Sequence, residues 1–257
     1  MAFRENEIPI LEYDDSPSAV VMPTHENLDI QLPKKAVFAF LGDVIEQYAS
    51  AVNAEKTAEF VSITKKYPVY TIDYKGEKIC FCQAPVGAAA STQILDWLIG
   101  YGVETVISAG SCGVLQKLEE NVFLVPRRAL RDEGTSYHYL PPSRYIDLDL
   151  QVLHSIERTF KKWNIPYLEC MTWTTDGFYR ETREKVAHRR QEGCMTVEME
   201  CAALAACARF RNIAFGQILF TADTLADMDA YHERNWGGES LEKALRLCFD
   251  IAHELSL

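Results

Sequence analysis

The sequence predicts a single α/β domain built on a mainly parallel or mixed sheet. Three observations predict it. Short apolar runs alternate with segments of helical spacing from residue 36 onward, no Pro/Gly-rich linker divides them, and 257 residues suit one large domain. Hydrophobic residues make up 48% of the chain, enough for a core that removes about three-quarters of the unfolded surface from water.

Taken in order, residues 1–35 are polar and Pro-containing without lasting periodicity and read as an N-terminal arm. AVFAFLG (36–42) is an apolar run ending in Gly, as a buried strand should be. VYTIDYKGEKICFCQAP (69–85) reads as two strands joined at Lys75-Gly76. STQILDWLIGYG (91–102) has helical spacing, a Ser start and a Gly stop. ETVISAGSCG (104–113) is a strand running into a Gly/Ser loop, and NVFLVPRRAL (121–130) a strand broken by Pro126. LQVLHSIERTFKKWNI (150–165) is an amphipathic helix with cations toward its end, followed by a strand at 167–176. TVEMECAALAACARFR (196–211) reads as a closely packing helix rich in Ala, 213–223 as a strand, and the last 18 residues as a closing amphipathic helix. Residues 36–257 thus form one domain behind the arm.

Composition narrows the function. The net charge of −11 repels phosphate backbones and argues against nucleic acid as a partner, though a small anion needs only a local positive pocket. No apolar run approaches the roughly 18 residues of a membrane span. The acidic start MAFRENEIPILEYDD lacks the order of a signal peptide, so a cytoplasmic location is expected. The eight cysteines sit mostly in apolar stretches without a CxxC pair, the pattern of buried free thiols rather than of a zinc site.

Ligands of such sheets collect at the carboxyl ends of strands. Polar punctuation stands there at Gly42-Asp43, Gly110-Ser111, Thr174-Thr175-Asp176 and Thr221-Ala222-Asp223, with Gly87 before the Ser91 helix. Gly and Ser in loops present N–H groups to anions but are also plain turn formers. VEMEC is more unusual, because Glu198 and Glu200 open a stretch otherwise of Ala, Leu and Cys. A buried carboxylate costs several kcal/mol without partners. Either it pairs with the N-terminus of its own helix or it holds a ligand's hydroxyls.

In this order QAPVGAAAST, ISAGSCGVL, TTDGFY, TVEMECAALAACARF and FTAD resemble the nucleoside phosphorylase family, over residues 36–223. That family includes hexameric bacterial purine nucleoside phosphorylases, uridine phosphorylases and adenosylhomocysteine nucleosidases. The resemblance implies one domain with a twisted mixed sheet partly closed into a barrel and flanked by helices, assembled as a homo-oligomer, dimer or hexamer. It implies that Gly42, Gly110 and Ser111 contact phosphate, helped by Lys65 or Lys66 of a neighbouring subunit. Met199 lies under the ribose and Glu200 binds its hydroxyls. Phe178 and Tyr179 stack on the base. Asp223 protonates a purine leaving group, assisted by Arg234, and His25 in the arm reaches a neighbour's ribose.

The implied activity is reversible phosphorolysis of a purine or uridine-like nucleoside to base and ribose 1-phosphate, with inorganic phosphate as co-substrate and no metal or organic cofactor. The chain departs from the pattern at Glu46 and Ser108, where the bacterial phosphorylases carry arginines, and Lys65 or Lys66 lacks the bidentate fork of a third. The nucleosidase branch lacks those arginines too, so hydrolysis by water is the alternative, and a non-catalytic nucleoside-binding protein is a second. The segment GFYRETREKV has Arg180 and Arg183 but not the Gln that accompanies Arg in uridine phosphorylases, while Asp223 leans toward purines.

Overall fold

The first core strand, β1 (Lys35–Ala39), follows an arm that is docked rather than free. The computed structural model describes residues 3–255. Within the arm a short 3-10 turn spans Pro9–Leu11 and Tyr13 and Leu32 are buried. Glu26 accepts a hydrogen bond from the Trp97 indole (3.1 Å), and the Leu32 N–H donates to the Tyr101 carbonyl (2.8 Å).

After β1 come α1 (Val44–Ala51), β2 (Glu55–Val61), β3 (Lys66–Tyr74), β4 (Glu77–Gln83) and α2 (Ala88–Gly100). They are followed by β5 (Thr105–Val114), β6 (Phe123–Asp132), α3 (Ser136–Tyr139), β7 (Tyr145–Asp147), α4 (Leu150–Lys162), β8 (Tyr167–Thr175) and α5 (Arg183–Gln191). The chain ends with β9 (Thr196–Glu198), α6 (Cys201–Arg211), β10 (Ala214–Thr224) and α7 (Leu241–Glu254).

The ten strands form one mixed sheet in which β10, β6, β8, β9 and β5 close into a five-stranded barrel because β10 also pairs with β5. β1, β4, β3 and β2 extend the sheet outward from β5. This is the partly closed, helix-flanked sheet expected. Cys112, Leu124, Cys170 and Leu219, one from each of four barrel strands, pack into one cluster. A larger core joins α7, lying on β1, β4 and β5 beside α1 and α4, to α2, α3 and α6. From Cys201 to Ala208 every residue of α6 is buried, and its small side chains allow the close approach to α2. All eight cysteines are buried free thiols.

Several elements differ from the sequence reading. The α2 helix begins at Ala88, not Ser91, because Gly87 turns the chain at φ +100° and three alanines follow. The Ser91 hydroxyl instead bonds back to the Gly87 carbonyl (2.9 Å) from inside the helix. Gly110-Ser111-Cys112-Gly113 is strand rather than loop, since β10 pairs with it along its length and β9 meets Gly113. Thr196–Glu198 is a strand, not the first turn of the Ala-rich helix, because β8 and β5 both pair with this β-branched stretch. Pro126 does not break β6; a register shift against β8 between Pro126 and Arg128 absorbs it.

Gly216 in β10 shows how tightly the layers meet: a Cβ there would lie 2.4 Å from Val152 Cγ1 and 3.0 Å from Ile156 Cδ1 of α4. Gly216→Ala is therefore expected to lower stability by about 1–3 kcal/mol through overpacking. Urea denaturation followed by circular dichroism measures this, and an unchanged midpoint would show that α4 yields at no cost.

Candidate active site

The site arises where neighbours leave β5. Pairing with β1 ends at Ile107 and pairing with β9 begins at Gly113. Between them the strand edge faces a cleft of about 170 Å³, with only the Phe40 N–H reaching across to the Ala109 carbonyl (2.8 Å). Diverging strands of this kind create the crevice in which α/β sheets bind ligands.

Glu198 builds one wall. Its Oε2 accepts from the N–H groups of Glu200 and Cys201 (2.7 Å each), and its Oε1 from the hydroxyls of Thr174 (2.6 Å) and Thr172 (3.3 Å). Thr174 in turn accepts from the Ala202 N–H (3.0 Å). Glu198 is thus the carboxylate that pairs with the N-terminus of α6, and Glu200 does something else. The Glu200 Oε1 accepts from the Gly87 N–H at the start of α2 (2.6 Å). Burial, and then the charge of Glu198, push its carboxyl well above the ordinary range.

Six residues selected from the sequence line this one cleft: Gly110 and Ser111 from β5, Phe178 from the 3-10 turn after β8, Met199 and Glu200 between β9 and α6, and Asp223 near the end of β10. Burial raises the Asp223 carboxyl, with Tyr231 and Arg234 opposing. Cys112, which also lines the cleft, has its Sγ on the Phe220 carbonyl and is held protonated by its burial.

The other five lie elsewhere. Gly42, at φ +56°, makes the turn from β1 into α1, two residues beyond the cleft-lining Phe40. Lys65 ends the β2–β3 turn with its ammonium over the Tyr67 ring (5.4 Å). His25 stays in the arm with Nδ1 against the Met22 carbonyl (3.0 Å), in a separate groove beside Phe60 and Trp97. Tyr179 is exposed, its ring edge-on to Phe178 at 5.0 Å, and lines an adjoining cleft. Arg234 binds the carbonyls of Leu118 (2.7 Å) and Ala222 (3.3 Å) and bears on Asp223 only through its charge.

Sequence reasoning missed Glu181, Gln217, Tyr231 and Trp236. Glu181, Gln217 and Trp236 line the cleft. Only Glu181 had a usable signal, its position three residues after Phe178. Gln217 pairs in register with Ser108, and the buried Gln217 Oε1 and Ser108 Oγ have no hydrogen-bond partner among the described residues. Among those residues no three His, Cys, Asp or Glu side chains gather as a metal site, and no helix is long and apolar enough to cross a membrane. The cleft therefore offers a raised carboxyl that can donate a proton, a second carboxyl beside backbone N–H groups, and an open strand edge.

Known proteins share the fold and the family of this chain. Residues 34–255 match the family model described as the phosphorylase superfamily. A guanosine phosphorylase of Halorubrum lacusprofundi is 26% identical over 63% of this chain and 67% of its own length. A uridine phosphorylase of Thermococcus kodakarensis is 25% identical over 62% of each chain. A purine nucleoside phosphorylase, DeoD-type, of Colwellia psychrerythraea is 26% identical over 72% of this chain and 79% of its own. In structure, a Vibrio fischeri uridine phosphorylase superposes with a TM-score of 0.76 at 22% identity, covering 88% of this chain and 94% of the other. An AMP nucleosidase from Bacteroides thetaiotaomicron superposes at 0.70 and 22%, covering 86% and 88%. With the family model spanning nearly the whole chain, the chain belongs to the phosphorylase superfamily.

Proposed function

We propose that the chain is a nucleoside phosphorylase that splits purine nucleosides with inorganic phosphate. The observation that carries this reading is the convergence of Asp223, Glu200, Met199 and Phe178 on the open edge of β5 in one cleft. The relatives' names, guanosine, purine nucleoside and uridine phosphorylase, support the reaction class.

In this reading a phosphate oxygen, held by the Gly110 and Ser111 donors, attacks the anomeric carbon as the bond to the base nitrogen breaks. The bond's electrons leave with the base, and Asp223 gives its proton to the base's ring nitrogen and recovers one from solvent. Glu200 accepts from the ribose hydroxyls, with Met199 against the sugar, so that the attack geometry is fixed. Cleavage passes through positive charge on the sugar, which the bound phosphate anion offsets. Lys65 and His25 lie away from their own cleft and serve that of a second copy in a homo-oligomer working in the cytoplasm.

One observation favours a second reading, hydrolysis. Ser108 stands where a phosphate-binding arginine is expected, and its buried Oγ, like Gln217 Oε1, is neutral and unpartnered among the described residues. Such atoms suit a water better than a dianion. The products decide: phosphorolysis yields ribose 1-phosphate only when phosphate is supplied, whereas free ribose formed at the same rate without phosphate assigns the chain to hydrolysis.

The two neighbouring glutamates should separate cleanly. Glu200→Gln is expected to lower kcat/KM at least about 10-fold with little change in stability, the worth of a charged hydrogen bond. Glu198→Gln should instead lower stability by about 1.5–3 kcal/mol, because an amide cannot accept all four of its bonds. Parallel kinetics and denaturation read both; the reverse pattern would exchange their roles.

Asp223 must hold its proton to act as acid, and its carboxyl is raised by burial. For a purine nucleoside, kcat/KM is therefore expected to fall as pH rises through that raised value. Asp223→Asn should lose most activity and show no such decline; a variant that keeps the alkaline decline would place the titrating acid elsewhere.

A further inference from the structure

Glu181 is unexplained by the reaction above. It follows the 3-10 turn Phe178–Arg180 that carries the stacking Phe178, and it lines both the cleft and an adjoining one of about 340 Å³. Asp223 lines the first of these and Tyr231 lines the second. Among the described residues the Glu181 carboxyl makes no hydrogen bond.

Four of the cations near this pair are engaged elsewhere. Lys185 of α5 bonds Asp132 (3.1 Å), and Arg183 pairs with Asp229 (2.7 Å). Arg190 holds the carbonyls of Leu225 (2.5 Å) and Ala226 (2.8 Å), and Arg234 holds those of Leu118 and Ala222. Among the described residues no cation bonds the carboxyl of Glu181 or of Asp223, and Asp227 lines the adjoining cleft with Glu181.

We propose that Glu181 and Asp223 together read one edge of a purine, and that the number of protons the pair holds selects between 6-amino and 6-oxo bases. This deepens the phosphorylase reading and rests on it. Along the five-membered-ring edge adenine offers an acceptor at N7 and a donor at the 6-amino group, whereas 6-oxopurines offer acceptors at both positions. A carboxyl pair with one proton supplies one donor and one acceptor and complements the first. A pair with two protons supplies two donors and complements the second. Pyrimidines lack this edge.

Electrostatics brings the change into an accessible range. Burial, and then the charge of Asp223, push Glu181 up to about 8, with Lys185 opposing. Asp223 is itself raised by burial, with Tyr231 and Arg234 opposing. Burial, and then the charges of Asp223, Glu233 and Glu181, push Tyr231 up to about 12, so it stays protonated throughout. Glu198 and Glu200, which line the same cleft, have their own backbone donors.

The test measures kcat/KM for inosine and adenosine between about pH 5.5 and 8, below the ionisation of the inosine base, with wild type and Glu181→Gln. In wild type the inosine-to-adenosine ratio is expected to fall about 10-fold across this range, as one charged hydrogen bond changes sign. In Glu181→Gln, whose amide keeps one donor and one acceptor at every pH, the slope should shrink to what Asp223 alone contributes. Because both substrates see the same protein sample, partial unfolding cancels from the ratio. A flat wild-type ratio, or the same slope in the variant, overturns the role of Glu181 while leaving phosphorolysis standing. Failure of the wild type to cleave either nucleoside, with or without phosphate, overturns the functional reading itself and this inference with it.

Discussion

One buried carboxylate organises the molecule's working end. Glu198 takes four hydrogen bonds, two from the first N–H groups of α6 and two from threonines of β8. Burying that charge unpaired would cost several kcal/mol, so the four donors and the positive end of the helix are required for it to exist there. The result is a rigid joint between barrel and helix. Met199 and Glu200 follow directly on this joint, and Glu200 extends it to α2 through the Gly87 N–H. Removing this interaction would loosen three elements and the cleft together.

The cleft depends on strand geometry in the same degree. β5 serves two architectures at once, the barrel through β10 and β9 and the outer sheet through β1. Because these partners separate along its edge, the middle of the strand is left uncovered on one side, and Gly110 keeps bulk away from it, a Cβ there already touching Phe40 at 3.4 Å. The opening is therefore a consequence of closing a barrel inside a larger sheet.

Much of this was legible in the sequence, for identifiable reasons. Buried strands such as β1 and β10 announce themselves as apolar runs, and α4 and α7 by their period. The α5 segment REKVAHRRQ carries almost no apolar signal; it is held by Thr182 at its start and by Arg189 paired with Glu192. β2 was invisible because its residues are mostly only partly buried. In the site, VEMEC marked the right place, yet only the fold shows that its first glutamate is a structural cap and its second faces the cleft. Tyr231 and Trp236 sit in a loop without periodicity, so nothing in the order of residues foretold their return to the base of β10.

Trp236 carries one more consequence. Of the four tryptophans, Trp97 and Trp173 are deep in the core and Trp163 lies at the exposed end of α4, while Trp236 forms part of the cleft wall and is 46% exposed. Indole emission follows the polarity around the ring. A ligand that displaces water from this wall changes the surroundings of that one fluorophore and leaves the other three untouched, so the protein carries its own optical reporter of occupancy.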